Sequence, residues 1–253
     1  MKTILFTIVL VIITNGIFAQ YRMIVKKTDN SILDILIEDI DEITFPYGTC
    51  PGIPTVDYEG ITYNTVQIGT QCWLKENLNI GTKINGGVEQ TNNSIIEKYC
   101  YNNTQANCTT YGGLYQWAEA VQYQNGATNT TSPSPAFTGN VQGICPTGWH
   151  IPKKTEFQTL KSTVGNISNA LKAIGQGTGS GAGTNTSGFS ALLAGYRTSS
   201  GGFSDLGKYT DIWSTTVINP TNVYDLELYY SDNGVYYASY GKVNGLSVRC
   251  VKD

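Results

Sequence analysis

Charged residues are what this 253-residue chain most lacks. Asp, Glu, Lys and Arg make up 14% of it, against roughly 25% in ordinary soluble domains. Sixteen basic residues face nineteen acidic ones, for a net charge of −3. Nothing in that balance can neutralise a phosphate backbone, so nucleic acid is not an expected partner. There is one histidine, His150, which leaves a poor inventory for zinc or for histidine-based triads. No C-x-x-C pair occurs, so a thiolate metal cluster is not expected, and no cofactor is implied. The glycine-rich run from Gly177 to Gly183 lacks a Gly-Lys-Ser/Thr ending and reads as a flexible loop, not a phosphate cradle.

What is present points outward. Met1 and Lys2 precede an apolar run from Ile4 to Ile13 and a small-residue segment ending at Ala19. That order is a signal peptide over residues 1–19, cleaved near Ala19, and its core falls far short of the ~20 residues a membrane span requires. No later stretch is long and apolar enough to span, and Cys50 lies too far downstream for lipid attachment at the cleavage site. The mature chain is therefore expected to be secreted, periplasmic or on the cell surface. Cys50, Cys72, Cys100, Cys108, Cys145 and Cys250 are an even set in an exported chain, which favours disulfides over reactive thiols while spacing leaves their pairing open.

Residues 20–46 read as a small β-hairpin segment: a strand from Tyr21 to Lys27, a turn at Asp29-Asn30, and a strand from Ile32 to Ile37. From Cys50 onward, strands are expected at Val56–Ile68, interrupted by Glu59-Gly60. Leu114, Trp117, Ala118 and Val121 have the spacing of one helical face and predict a helix within 112–123. Two more helices are expected, at 154–164 with Phe157 and Leu160 inward, and at 167–174. Short strands follow at 191–196, 211–216, 224–230, 235–240 and 246–251. Strands at both ends with helices between make an α+β order, not alternating βαβ units.

Several ordered blocks resemble the Fibrobacter succinogenes major paralogous domain family. They are Tyr63 to Gly69 with Gln71, Trp73, Glu76, Asn77 and Leu78; Tyr111 to Trp117; Ile144 to Pro152; Ser187 to Leu192 with Gly195, Tyr196 and Arg197; Trp213 to Thr215; and Ser247 to Val251. The resemblance spans residues 50–253. It implies a C-type-lectin-like fold, similar to that of formylglycine-generating enzymes, with a twisted antiparallel sheet, two or three helices and long loops. It also implies the cystines Cys145–Cys250, Cys100–Cys108 and Cys50–Cys72. Lys153 stands where the family places Ser or Asp at a helix start, which forfeits a cap worth about 1 kcal/mol. Leu193-Ala194 replace the usual Pro-Gly pair.

Function is less legible. Lectin-type calcium binding needs an acid or amide before and after a proline, but in Ile218-Asn219-Pro220-Thr221 the proline is followed by Thr221. Formylglycine-type oxidation needs reactive cysteines near the C-terminus, where only Cys250 lies. His150 is expected to be a hydrogen-bonded core residue, since no carboxylate or nucleophile neighbours it in sequence. Tyr224, Tyr229, Tyr230, Tyr236, Tyr237 and Tyr240 crowd two strand candidates. Tyr229, Tyr230, Tyr236 and Tyr237 are a candidate ligand platform, against the alternative of cross-strand packing. The expected role is a non-catalytic binding module for a glycan or an extracellular protein. The alternatives are a passive structural unit, or an enzyme that would have to gather Asp211, Asp225, Glu227 and Arg197 into one pocket.

Overall fold

The computed structural model describes residues 48–253 in full and, before them, only the backbone of three strands. The chain divides into two units, Met1–Phe45 and Pro46–Asp253. In the first, β1 (Ile8–Ile13), β2 (Gln20–Lys26) and β3 (Ile32–Leu36) form an antiparallel sheet in that order. Most of the leader and the Asp29-Asn30 turn lie outside the described residues.

The second unit is mixed and mostly sheet. Its first half holds β4 (Thr55–Tyr58), β5 (Ile61–Ile68), β6 (Gln71–Leu74), β7 (Thr82–Ile84) and β8 (Glu97–Tyr99). Then come α1 (Gln105–Tyr111), β9 (Tyr115–Gln116), α2 (Trp117–Ala120), β10 (Trp149–His150) and α3 (Lys154–Thr163). The rest is strands and loops: β11 (Tyr196–Arg197), β12 (Phe203–Ser204), β13 (Tyr209–Asn219), β14 (Asn222–Tyr229), β15 (Val235–Tyr236), β16 (Ser239–Gly241), β17 (Gly245–Leu246) and β18 (Val251–Lys252). One antiparallel sheet runs β10-β18-β6-β5-β4, so the last strand is embedded among the first. A second runs β12-β11-β17-β9, and a third pairs β13 with β14, which also carries β15 and β16.

Alternation explains how the sheets share two cores. On β5, Tyr63 and Thr65 face one way, Val66 and Ile68 the other. Val66, Ile68 and Trp73 bury with Phe157 and Leu160 of α3 and with Ile212, Leu226 and Leu228. The Trp73 ring stacks on Phe157 at 5.8 Å and meets Phe189 edge-on at 5.6 Å. Tyr63, Leu74, Tyr115, Trp117, Trp213 and Leu246 make the other core. Three disulfides join Cys50–Cys72, Cys100–Cys108 and Cys145–Cys250, the pairs the resemblance implies, and no cysteine among the described residues is free. No described helix is long and apolar enough to cross a membrane. The disulfides fit an extracellular protein.

Five expected elements differ, one of them the strand expected at 235–240, which is split between β15 and β16. The helix expected within 112–123 shrinks to the four residues of α2. Gly112 has φ +87 and presses against Asn77, Tyr115 and Gln116 pair with β17, and Gln122 and Tyr123 turn to positive φ. Every residue from Leu114 to Val121 is buried, so the apolar spacing records burial on all sides, not one helical stripe. The helix expected at 167–174 is a single turn at Ser168–Ala170, because Lys172 pairs with Ala191 instead. The strand expected at 191–196 begins only at Tyr196, after Gly195 at φ +62. Finally, 246–251 is split between β17 and β18. Meanwhile α1, with Cys108 as its one buried residue, has no apolar face to announce it.

The missing cap at α3 is supplied from elsewhere. Glu156 Oε2 accepts the Lys153 N–H at 2.8 Å, and Thr216 Oγ1, from β13, accepts the Lys154 N–H at 2.9 Å. The substitution Thr216→Val is expected to cost about 1 kcal/mol. In urea unfolding this should appear as a lower midpoint at unchanged slope.

Candidate functional site

β13 and β14 pair with Tyr209 opposite Tyr229, Asp211 opposite Glu227, and Trp213 opposite Asp225. These six residues have one parity along their strands and therefore share one face. The register of β15 adds Tyr236 opposite Glu227, and that of β16 adds Tyr240 opposite Val223. The face thus grades from tyrosine at one end, through carboxylates, to a buried tryptophan at the other.

At the tyrosine end, Tyr229 meets Tyr209 edge-on at 4.6 Å and Tyr236 at 5.2 Å, making a row of three rings across three strands. Tyr236 is 42% exposed and neighbouring Tyr230 is 37% exposed. The Tyr236 hydroxyl donates to Asp232 Oδ2 at 3.1 Å, which fixes the ring and raises its phenol pKa. A Cβ at Gly234 would strike that ring, so a larger residue there would displace it. Burial and the Glu227 carboxylate also push the Tyr229 phenol up.

In the middle, Asp211 and Asp225 are 1% and 0% exposed. Both Asp225 oxygens and Oδ1 of Asp211 have no hydrogen-bond partner among the described residues. Burial, then the Glu227 charge, raises Asp225 to about 7; burial and the Asp225 charge hold Asp211 well above the usual carboxylate range. The aromatic end closes over them: Tyr240 meets Tyr196 at 5.5 Å and Trp213 at 6.3 Å. Half-buried Glu227 is left between the hidden pair and the exposed rings.

The platform residues named from sequence are therefore divided. Tyr229 and Tyr236 lie in the row. Tyr237 turns to α3, where its hydroxyl donates to the Phe157 carbonyl at 3.0 Å and Lys161 Nζ sits 5.1 Å from its ring. Tyr224, also under α3, is covered by Lys154 Nζ at 3.5 Å. Tyr209 lies before the strand expected at 211–216, which begins two residues earlier, and the alternation of Asp211 and Trp213 extended one step back reaches it. Asp211, Asp225 and Glu227 do come together. Arg197 does not join them: it binds the Gly86 carbonyl and Glu89 Oε1, at 2.9 and 2.7 Å.

His150 is a buried, hydrogen-bonded residue, but carboxylates do adjoin it. Its Nδ1 is 2.7 Å from Asp253 Oδ1 and its Nε2 2.8 Å from Glu156 Oε1. The sequence offered no sign of this, since the partners come from the helix start and the far end of the chain. With both ring nitrogens so engaged, the imidazole clamps α3 to the segment after β18. At Asn219, Oδ1 accepts the N–H groups of Thr221 and Asn222, an Asx turn that occupies the oxygen a cation would need. Among the described residues no cluster of three or more His, Cys, Asp or Glu could hold a metal.

The model of the Fibrobacter succinogenes major domain matches residues 66–252. No curated protein and no solved structure matches the chain.

Proposed function

The chain belongs to the Fibrobacter succinogenes major domain family, and from that premise we propose that it is an exported, non-catalytic binding module whose ligand is a glycan. The fold we assign to it is C-type-lectin-like, behind the leader and hairpin read from the sequence. The observation that carries the ligand class is the Tyr209–Tyr229–Tyr236 row with Glu227 beside it. Phenol rings offer an apolar surface with a polar edge, which suits the C–H face of a sugar, and a carboxylate accepts hydrogen bonds from its hydroxyls. The acids on the same face favour neutral over acidic chains.

A glycan array probed with the oxidised protein should identify a neutral oligosaccharide. Tyr236→Ala should then weaken it about tenfold, equivalent to about 1.4 kcal/mol, by calorimetry. Tyr224→Phe, on the face under α3, should leave affinity unchanged. Silence of the array, or equal effects of both substitutions, would remove this reading.

One observation favours an enzyme on the same scaffold: displaced titration of adjoining carboxyls is a property of acid–base sites. Against it, Asp211 and Asp225 are sealed from any substrate by burial.

A further inference from the structure

A cleft of about 330 Å³, away from the tyrosine face, is lined among others by Glu76, Asn77, Thr110, Tyr111, Ser190 and Arg249. Six separate stretches of chain meet there, and its size suits a small molecule. Arg249 is 1% exposed. Its guanidinium donates from Nε and Nη2 to the single oxygen Asn77 Oδ1, at 3.0 and 2.8 Å, and from Nη1 to the Phe189 carbonyl. The group stacks over the Phe189 ring at 4.3 Å. All these partners are neutral. The ion pairs found among the described residues belong to His150 and Arg197. Glu76, the one acid lining the cleft, spends both oxygens on the Asn64 backbone N–H and side-chain amide, at 2.8 and 2.9 Å.

A buried guanidinium without a counter-ion is unusual, because fully buried charges are normally paired. Desolvation pulls Arg249 down to about 9 against the partial upward pull of the Glu76 charge, which makes no hydrogen bond to it. A guanidinium has five N–H groups, and the bonds above use three. We propose that this cleft binds a carboxylate, which supplies the missing counter-ion to the spare Arg249 donors. Planar carboxylate matches the guanidinium fork, and because Lys75 also lines the cleft, its two cations against Glu76 leave one net positive charge, which suits a monoanion. Glu76 at the wall disfavours a phosphate dianion. The carboxylate can come from a free small acid or from a sugar acid.

The test is an amide NMR titration of the oxidised full chain at constant ionic strength, with sodium acetate, glucuronate, phosphate and chloride. Saturable shifts at Asn77, Ser190 and Arg249 are expected with acetate or glucuronate, at concentrations at least tenfold below any response to phosphate or chloride. Equal strength for the two carboxylates assigns the site to the carboxylate alone; tighter glucuronate assigns it to a sugar acid. Thr110→Trp, which fills the cleft from a helix surface and leaves Arg249 in place, should abolish the shifts while the thermal midpoint moves by no more than about 2 °C. No shifts, shifts equal to those from chloride, or shifts undiminished in T110W would each overturn the proposal. Arg249→Lys keeps the charge without the fork and should weaken binding at least tenfold; should it fail to fold, T110W still decides.

Discussion

Replacing Cys145 and Cys250 together by alanine is expected to destabilise the second unit more than loss of any other bridge. The two cysteines are 105 residues apart, against 22 for Cys50–Cys72 and 8 for Cys100–Cys108. In the chain-entropy account, closing such loops removes unfolded-state freedom worth about 4.7, 3.4 and 2.6 kcal/mol respectively. The first figure approaches the whole stability of many domains, which is about 5–15 kcal/mol. Position adds to length. Cys250 immediately precedes β18, whose pairing with β10 and β6 ties the end of the chain to its middle and its start. His150 and Asp253 bind across the same pair of strands. Opening the bridge therefore frees an interior strand of the five-stranded sheet, not an edge. Urea midpoints of the three double-alanine variants should fall in the order of their loop lengths, with Cys145/Cys250 lowest. If Cys100/Cys108 proves as costly, the entropic ordering fails and local strain or packing around α1 governs instead.

That bridge also marks how far the sequence could be read. Blocks such as Ile144 to Pro152 and Ser247 to Val251 are legible through their resemblance to the family, not through local periodicity. α3 was legible because its apolar residues, Phe157 and Leu160, lie on one side only. The stretch around Trp117 was not, since it is buried all round and periodicity then carries no direction. Long-range polar contacts were equally hidden: Thr216 capping α3, and Glu156 with Asp253 closing on His150, depend on strand pairing that no local pattern reveals. At the candidate site, alternation alone placed Tyr229 and Tyr230 on opposite faces. The gathering of Asp211, Asp225 and Glu227 needed the β13–β14 register, which a slip of one residue would have sent to the other side.

Because of that register, Asp225→Asn is expected to stabilise the protein at pH 8 and to do little at pH 3.5. Asp225 titrates near 3.8 in the unfolded chain and near 7 in the fold. The fold therefore holds a proton that the unfolded chain releases between those values. Stability falls as pH rises through this window and is flat above it. The deficit reached is on the order of 4 kcal/mol, and an amide, with no charge to desolvate, avoids it. Of the groups facing the carboxyl, Glu227 is a like charge that acts in the same direction and Tyr240 and Trp213 exclude water, whereas Asp211, itself held protonated, and the Ala238 backbone pull the other way. Glu156, held low in part by His150, has the opposite pH dependence, so the diagnostic quantity is the difference between wild type and variant at each pH. Urea unfolding should show that difference growing from near zero at pH 3.5 to a few kcal/mol at pH 8, and carboxyl ¹³C resonances should place the Asp225 midpoint far above an ordinary aspartate. Glu227→Gln should lower that midpoint by removing the adjacent charge. A wild-type Asp225 titrating near 4, or a variant advantage independent of pH, would mean that water or a rearranged side chain solvates the pair. The buried carboxyls that set the tyrosine row apart from an ordinary sheet surface would then be open to solvent.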